Sequence, residues 1–276
     1  MLNVVRASRP FAIALLCTLT LSACPAPEEQ AQIRQLGHYP ATHLSGETLT
    51  LLNWNIYKQR QAPEWQQELS AIKRDYAPQI LTFQEINVDL SQDPGFDGFG
   101  QQFAANLKLD ESQASGVATA SRSAPIASQA YLSDPKEPLL ASPKLFLTTE
   151  FALSQRDDTL LLVNIHAINF VTTHNYQRQL LQLRQQVLSH SGPMILAGDF
   201  NSWNPTRRQQ LDQIAEQLQL QAVQFSQPVS AFMGQPLDHI YHSPHLSVSQ
   251  AHTLAQYQSS DHHPLLVEFA FLPNRP

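Results

Sequence analysis

The sequence predicts an α/β fold of two stacked sheets with helices packed outside, and three observations carry that expectation. Strand-like runs outnumber helix-like segments nine to three, which suits two stacked sheets better than one parallel sheet. Each helix-like segment gathers its apolar residues on one face, as a helix covering a sheet must. From Thr48 to about Leu272 these elements follow one another with short gaps and no internal repeat, so they read as one domain.

The chain opens with a processing signal. Met1–Arg9 carries Arg6 and Arg9, and Phe11–Leu21 is an apolar run too short to span a bilayer as a permanent helix. Leu21-Ser22-Ala23-Cys24 closes it with small residues and a cysteine, so residues 1–23 read as a secretory signal. That ending resembles the lipobox of bacterial lipoproteins, in which the cysteine is lipidated and becomes the first residue. The resemblance implies a secreted, membrane-anchored protein of the bacterial cell envelope, on the periplasmic side. The alternative is an ordinary secretory signal in which Cys24 is incidental. Cys17 and Cys24 are the only cysteines, and Cys17 lies in the discarded segment, so stability rests on core burial rather than on a disulfide. Residues 24–47, rich in Pro, Gln and Glu, read as a tether, with an ordered N-terminal arm as the alternative.

Strands are expected at Thr48–Asn55, Gln79–Glu85, Gly116–Ser121, Leu145–Ala152, Leu160–His166, Met194–Asp199, Leu237–Tyr241, Leu246–Ala251 and Leu265–Phe271. Helices are expected at Glu64–Tyr76, Asn175–Ser189 and Pro205–Leu218. The first places Trp65, Leu69, Ile72 and Tyr76 on one face behind Pro63. The second aligns Tyr176, Leu180, Leu183 and Val187. The third starts with Asn204 as cap and Pro205 in the first turn, then buries Leu211, Ile214, Ala215 and Leu218.

Charge narrows the partners. Without Arg6 and Arg9 the 17 basic residues fall to 15, against 23 acidic ones, a balance of −8. No basic cluster exceeds Arg207-Arg208, so tight, salt-sensitive binding to long DNA is not expected.

Strand after strand ends in a polar residue that its apolar pattern does not require. Asn55 follows Leu49–Trp54, Glu85 follows Ile80–Gln84, and His166 follows Leu161–Ile165. Asp199-Phe200-Asn201 follows Ile195–Gly198, with the acid and the amide on the same side by alternation. Asp238 opens another strand, and Asp261-His262 precedes the last one. Each alone has an ordinary reading as a turn former, solvated strand end or core histidine. Together they supply hard oxygen ligands for a divalent cation and imidazole for proton transfer, as phosphoester hydrolysis needs.

The ordered set Trp54-Asn55, Gln84-Glu85, His166, Gly198-Asp199-Phe200-Asn201, Asp238 and Ser260-Asp261-His262 resembles the endonuclease/exonuclease/phosphatase superfamily, which includes DNase I and abasic-site endonucleases. Trp54–Gln59, Asn164–Phe170 and Leu265–Phe269 are similar to its bacterial YafD-like branch. The resemblance implies a four-layer α/β/β/α sandwich and dependence on Mg²⁺ or Mn²⁺. It implies that Glu85, with Asn55 and Asp261, holds the metal. Asp199 would activate the attacking water, Asn201 and His166 would bind phosphate oxygens, and His262 paired with Asp238 would act as acid–base or phosphate-binding group. Whether Asp199 or His262 is the base stays open. His239 and His242 are read as structural, and His263 as a bystander.

The reaction expected is that of a phosphodiesterase, with nuclease activity favoured by the resemblance. A phospholipid or sugar-phosphate phosphoesterase is the rival within the class, and a binding lipoprotein without turnover is the rival outside it. Lys58, Arg60, Arg122 and Arg207 are the basic residues best placed to sit near the site, with a surface charge as the alternative reading of each, and Ile86–Gly116, whose only base is Lys108, is in a position that could line the cleft. No protein partner is evident, and a monomer is expected.

Overall fold

The computed structural model describes residues 26–28, 31–138 and 141–273. The expected signal segment and Cys24 lie outside the described residues. No helix among the described residues is long and apolar enough to cross a membrane.

Two sheets form the body. The eight-stranded sheet runs Gly100–Lys108, Gln113–Ser121, Ile80–Asp89, Thr48–Asn55, Leu265–Phe271 and Leu246–Thr253, with Ala26–Pro27 and Ile33–Gly37 both paired to Gly100–Lys108. The six-stranded sheet runs Gln221–Ala222, Asp238–His242, Met194–Asp199, Thr159–His166, Leu145–Ala152 and Ala127–Leu132. Each sheet is antiparallel except at one central pair. Thr48–Asn55 runs parallel to Ile80–Asp89 through the helix Pro63–Tyr76, and Thr159–His166 runs parallel to Met194–Asp199 through the helix Thr173–Val187. Two strand–helix–strand units are thus set face to face.

The layering follows from alternation. In Thr48–Asn55, Leu52 and Trp54 point outward onto Trp65, Leu69 and Ile72 of the first helix. Leu49 and Leu51 point inward, where they meet Phe151, Leu160, Leu162 and Ile195 of the other sheet. On the far side Val163, Ile165 and Leu196 pack under Tyr176, Leu183, Leu211 and Ile214. Strands buried on both faces read as continuous apolar runs, which is why these strands stand out in the sequence. The result is the expected four-layer sandwich. The helix Pro205–Gln217 begins as expected, with Asn204 Oδ1 accepting the Arg207 N–H at 2.9 Å.

Two expectations need correction. The segment 24–47 is not wholly a tether: Ile33–Gly37 is a paired strand, Ala41 bridges to Ser123, and buried Leu44 bridges to Leu153. Its few apolar residues gain a core only from a distant partner strand, so its polar composition hides it. That partner, Gly100–Lys108, and the edge strand Ala127–Leu132 lie outside the expected strands. Gln101, Gln102 and Asn106 interrupt the hydrophobic pattern of the former.

Candidate active site

The two parallel pairs bring four of the expected residues together at their carboxyl ends: Asn55 and Glu85 from one sheet, His166 and Asp199 from the other. Carboxyl ends of parallel strands are where α/β sheets commonly bind ligands.

Glu85 is aimed by a break in its own strand. Leu81 and Phe83 face the helix layer, while Thr82 and Gln84 face the other sheet. Simple alternation would send Glu85 outward. Instead the register with Gln113–Ser121 shifts between Phe83 and Ile86, and Glu85 adopts φ 51°. This bulge puts Gln84 and Glu85 on the same side, re-aiming the carboxylate into the cleft. Beneath it, the Gln84 amide donates to Asn53 Oδ1 at 2.9 Å and to Asn164 Oδ1 at 2.7 Å, bridging the two sheets.

Asp199 depends on a glycine. A Cβ on Gly198 would sit 1.9 Å from the Ile165 carbonyl oxygen, so only glycine allows this close approach of neighbouring strands. Asp199 is then the hub of the site. Its Oδ2 accepts from Asn55 Nδ2 at 3.0 Å and lies 3.7 Å from His166 Nε2 and 4.0 Å from His262 Nε2. Its Oδ1 accepts the Asn201 N–H at 2.9 Å. Asn201 in turn donates its side chain to the Ala167 carbonyl at 2.9 Å, and Asn55 Oδ1 accepts the Tyr57 N–H at 3.1 Å.

The His262 segment is pinned to the first sheet. Ser260 Oγ donates to the Asn55 carbonyl at 2.7 Å and Trp54 Nε1 to the His262 carbonyl at 2.8 Å. His262 Nδ1 lies 2.7 Å from Asp238 Oδ2, an ion pair with both partners buried. Glu85, His166, Asp199, Asn201, Asp261 and His262 all line one cavity of about 430 Å³, with Asn55 and Asp238 just behind its wall. All eight expected residues therefore converge.

Electrostatics divides them. Burial alone would raise Glu85, but the neighbouring cationic groups outweigh it and hold the carboxyl down at about 2. Among those neighbours His166 is itself pushed down to about 4, by burial first and then by Lys144. At neutral pH the cations beside Glu85 are therefore Lys144 and Lys58, whose Nζ lies 2.8 Å from Glu85 Oε2. Asp199 is pushed up by burial, with Asp238 adding to it. Burial would lower His262, but Asp238, Asp199 and Asp261 outweigh it and raise the imidazole to about 10.

Atoms of Asp199, Asp238 and His262 lie within 4.8 Å of one another, a spacing that could hold a cation. An ion there would have to displace the proton of a strongly basic imidazole and break its pairing with Asp238. Glu85 is the better anchor for a hard divalent cation: it is ionised, it faces the cavity, and an ammonium already sits on it. Asp261 shares that wall, and Asn55 Oδ1 keeps a second lone pair beyond its bond to Tyr57.

Of the four basic residues expected nearby, Lys58 alone meets a site carboxylate. Arg60 pairs with Asp93 at 2.5 Å, and Arg122 lies over the Phe99 ring. Arg207 is fully buried and donates to the carbonyls of Ile168, Asn201 and Val171, clamping the loops that carry the site. Nor does Ile86–Gly116 line the cavity; its strand residues pair within the first sheet, and Asp93 of its loop holds Arg60. Lys144 was not anticipated. It precedes a strand whose Leu145 is the register partner of His166, which puts Lys144 Nζ 3.3 Å from His166 Nε2. Only the register reveals it. Glu137 and Trp203 also line the cavity unforeseen, joined through Asn169, whose N–H donates to Glu137 at 2.6 Å and whose Oδ1 accepts from Trp203 at 2.9 Å. His239 is buried, with its ring Nε2 2.8 Å from Ser202 Oγ.

Comparison with known proteins identifies the family and the fold. Residues 52–262 match the Endonuclease/Exonuclease/phosphatase family. A UPF0294 protein of Vibrio parahaemolyticus is 39% identical over 227 residues, covering 80% of this chain and 77% of that protein. The human Nocturnin catalytic domain with bound sulfate anion is similar in structure with a TM-score of 0.61 at 17% identity, over 87% of this chain and 98% of that one. The 3′ phosphatase NExo from Neisseria, bound to product DNA hairpin, gives 0.57 at 19% identity, over 80% and 99%. At such identities the two structures speak to the fold, whereas the family match spans most of the sequence. This chain belongs to the endonuclease/exonuclease/phosphatase family.

Proposed function

We propose that the chain is a phosphoester hydrolase dependent on Mg²⁺ or Mn²⁺, anchored in the bacterial envelope through lipidated Cys24. The observation that carries this reading is the contrast inside one cavity between Glu85, held ionised at about 2, and Asp199, a buried carboxyl pushed up. A cation site needs the first and a proton acceptor the second.

Glu85, Asp261 and the free lone pair of Asn55 would hold the cation, which when bound polarises the phosphate as a Lewis acid. Asp199 accepts a proton from the attacking water, with Asn55 and the Asn201 N–H fixing its two oxygens. The water oxygen bonds to phosphorus, the bond from phosphorus to the leaving oxygen breaks, and that oxygen departs as an alcohol with one proton. His262 is cationic at neutral pH, so it serves as a proton donor or phosphate ligand, and the base is Asp199. His166 Nε2 faces Lys144 Nζ at 3.3 Å, so the ammonium is the donor that this corner offers to a phosphate oxygen.

The 3′-phosphatase neighbour and the family name support phosphoester chemistry without choosing the ester. The deciding measurement is hydrolysis of a phosphodiester and a phosphomonoester reporter by the purified chain, with and without Mn²⁺ or Mg²⁺. Metal-dependent turnover that falls on the order of 10²-fold in Glu85→Ala is expected. A folded chain that binds Mn²⁺ and turns over neither reporter would count for a binding role instead. The anchor is tested apart: Cys24→Ser should release the protein from membranes, and its retention there would refute lipidation.

A further inference from the structure

The structure describes seven large apolar side chains that are well exposed, and four of them crowd one place. Tyr57 (51% exposed), Phe170 (75%) and Phe232 (57%) line the cavity mouth, and Met233 (77%) adjoins Phe232 at the tip of the hairpin Ala231–Phe232/Gln235–Pro236. Exposed apolar patches gathered at a functional opening mark a contact surface.

The register of the first sheet gives that surface a direction. Ala26 pairs with Lys108, Lys108 with Ala114, and Ala114 with Val88. Val88 lies three residues beyond Glu85 on the same strand, further out on the catalytic side. Ala26 therefore sits on the catalytic end of the sheet, roughly 14 Å across from Val88 by three strand spacings. Because Pro27 pairs with Leu107, the chain enters the sheet from that end. Cys24 is two residues upstream of Ala26, a leash of at most about 7 Å. A lipid on Cys24 would hold the mouth against the bilayer rather than away from it.

We propose that the short leash and the apolar rim together turn the catalytic mouth onto the membrane, and that the substrate is the headgroup phosphoester of a membrane-resident lipid. This rests on the hydrolase and lipoprotein readings above. Water supplies the oxygen that bonds to phosphorus, the bond to the alcohol oxygen breaks, and the alcohol leaves with one of the water's protons. No oxidant or reductant is consumed. The balance of charge fits: the cavity wall carries Glu85, Glu137, Asp199 and Asp261 against Lys144 and the cationic His262, with Lys58 beside it, which suits one phosphate held with its cation and not a long polyanion.

The test uses the lipidated chain in phosphatidylethanolamine–phosphatidylglycerol vesicles, with and without brominated acyl chains. Trp203 lines the mouth, whereas Trp54 and Trp65 are buried in the outer core of the first sheet. Brominated lipid should quench the Trp203 emission, and Trp203→Phe should abolish the effect. Met233→Asp keeps its fold, because Met233 holds φ 52°, which aspartate tolerates better than methionine. That variant should lose quenching and hydrolyse vesicle phospholipid on the order of tenfold more slowly, with turnover of a soluble phosphodiester reporter unchanged. Unquenched Trp203, or equal lipid hydrolysis in Met233→Asp, would overturn the proposal. So would turnover confined to an oligonucleotide, which would assign the aromatic rim to base stacking. A wild-type chain silent on the soluble reporter would sink the hydrolase reading, while the quenching would still decide which way the mouth faces.

Discussion

The two strand–helix–strand units deliver the same chemistry, a carboxylate beside an amide or imidazole, by opposite means. In the first, a β-bulge with φ 51° twists Glu85 out of alternation and into the open cavity. In the second, regular pairing carries Asp199 inward, and Gly198 lets the strands close around it. The bulged carboxyl faces the cavity with His166, Lys144 and Lys58 beside it and is depressed to about 2; the regular one is buried and raised. Backbone irregularity leaves an ionised carboxylate open to the cavity, and backbone regularity a buried carboxyl whose pKa is raised. One fold thereby makes two carboxyls of different character a few ångströms apart.

The sharpest way to break this comparison is to remove each carboxylate and then add metal. Asp199→Ala should lose roughly 10³-fold in turnover and stay there at high Mn²⁺, because no cation replaces a proton acceptor. Glu85→Ala should lose on the order of 10²-fold and recover in part as Mn²⁺ rises, since the remaining ligands still bind weakly. Titrations of kcat/KM against Mn²⁺ for both variants decide it; equal rescue would erase the distinction.

The two imidazoles sharpen it next. His262 is raised to about 10 by Asp238, so Asp238→Asn should let its pKa fall toward the ordinary range. The alkaline limb of the pH–rate profile should then move down by more than one pH unit, and an unmoved limb would take His262 out of the reaction. Stability offers the mirror image. His166 is depressed to about 4, so between that value and 6.5 the unfolded chain binds the extra proton, and stability should rise with pH by up to roughly 3 kcal/mol. The stability that His262 contributes is fully present below 6.5 and lost as pH rises through about 10. Thermal midpoints across that range, with His166→Gln flattening the acid side, check the signs.

The smallest effect concerns Lys144. Lys144→Met should raise KM or lower kcat about tenfold by removing one donor to the phosphate, with little change in Mn²⁺ affinity. A large loss of Mn²⁺ affinity would show that Lys144 acts through Glu85 instead.

Much of this site was legible in the sequence. Asn55, His166 and Asp199 each close an apolar run at a strand end, whereas Glu85, expected to end its strand, interrupts one that continues through Ile86 and Val88 to Asp89; such runs are unambiguous in strands buried on both faces. The helices were legible for the same reason, because Trp65, Leu69 and Ile72 recur at helical spacing. What escaped were elements whose pattern is half polar and whose partners are distant. Ile33–Gly37 and Gly100–Lys108 stabilise one another, and neither declares itself alone.

By itself, the sequence determined most of the strands that form the core and the polar residues set among their apolar runs, because burial of apolar side chains at periods of 2 and 3.6 is a local signal. Only the tertiary structure decided that Glu85 points inward, since a bulge depends on register with a partner strand. It alone placed Lys144 beside His166 and left Arg207 to hold loops rather than phosphate. Those outcomes rest on through-space distance and desolvation, which no spacing along the chain encodes.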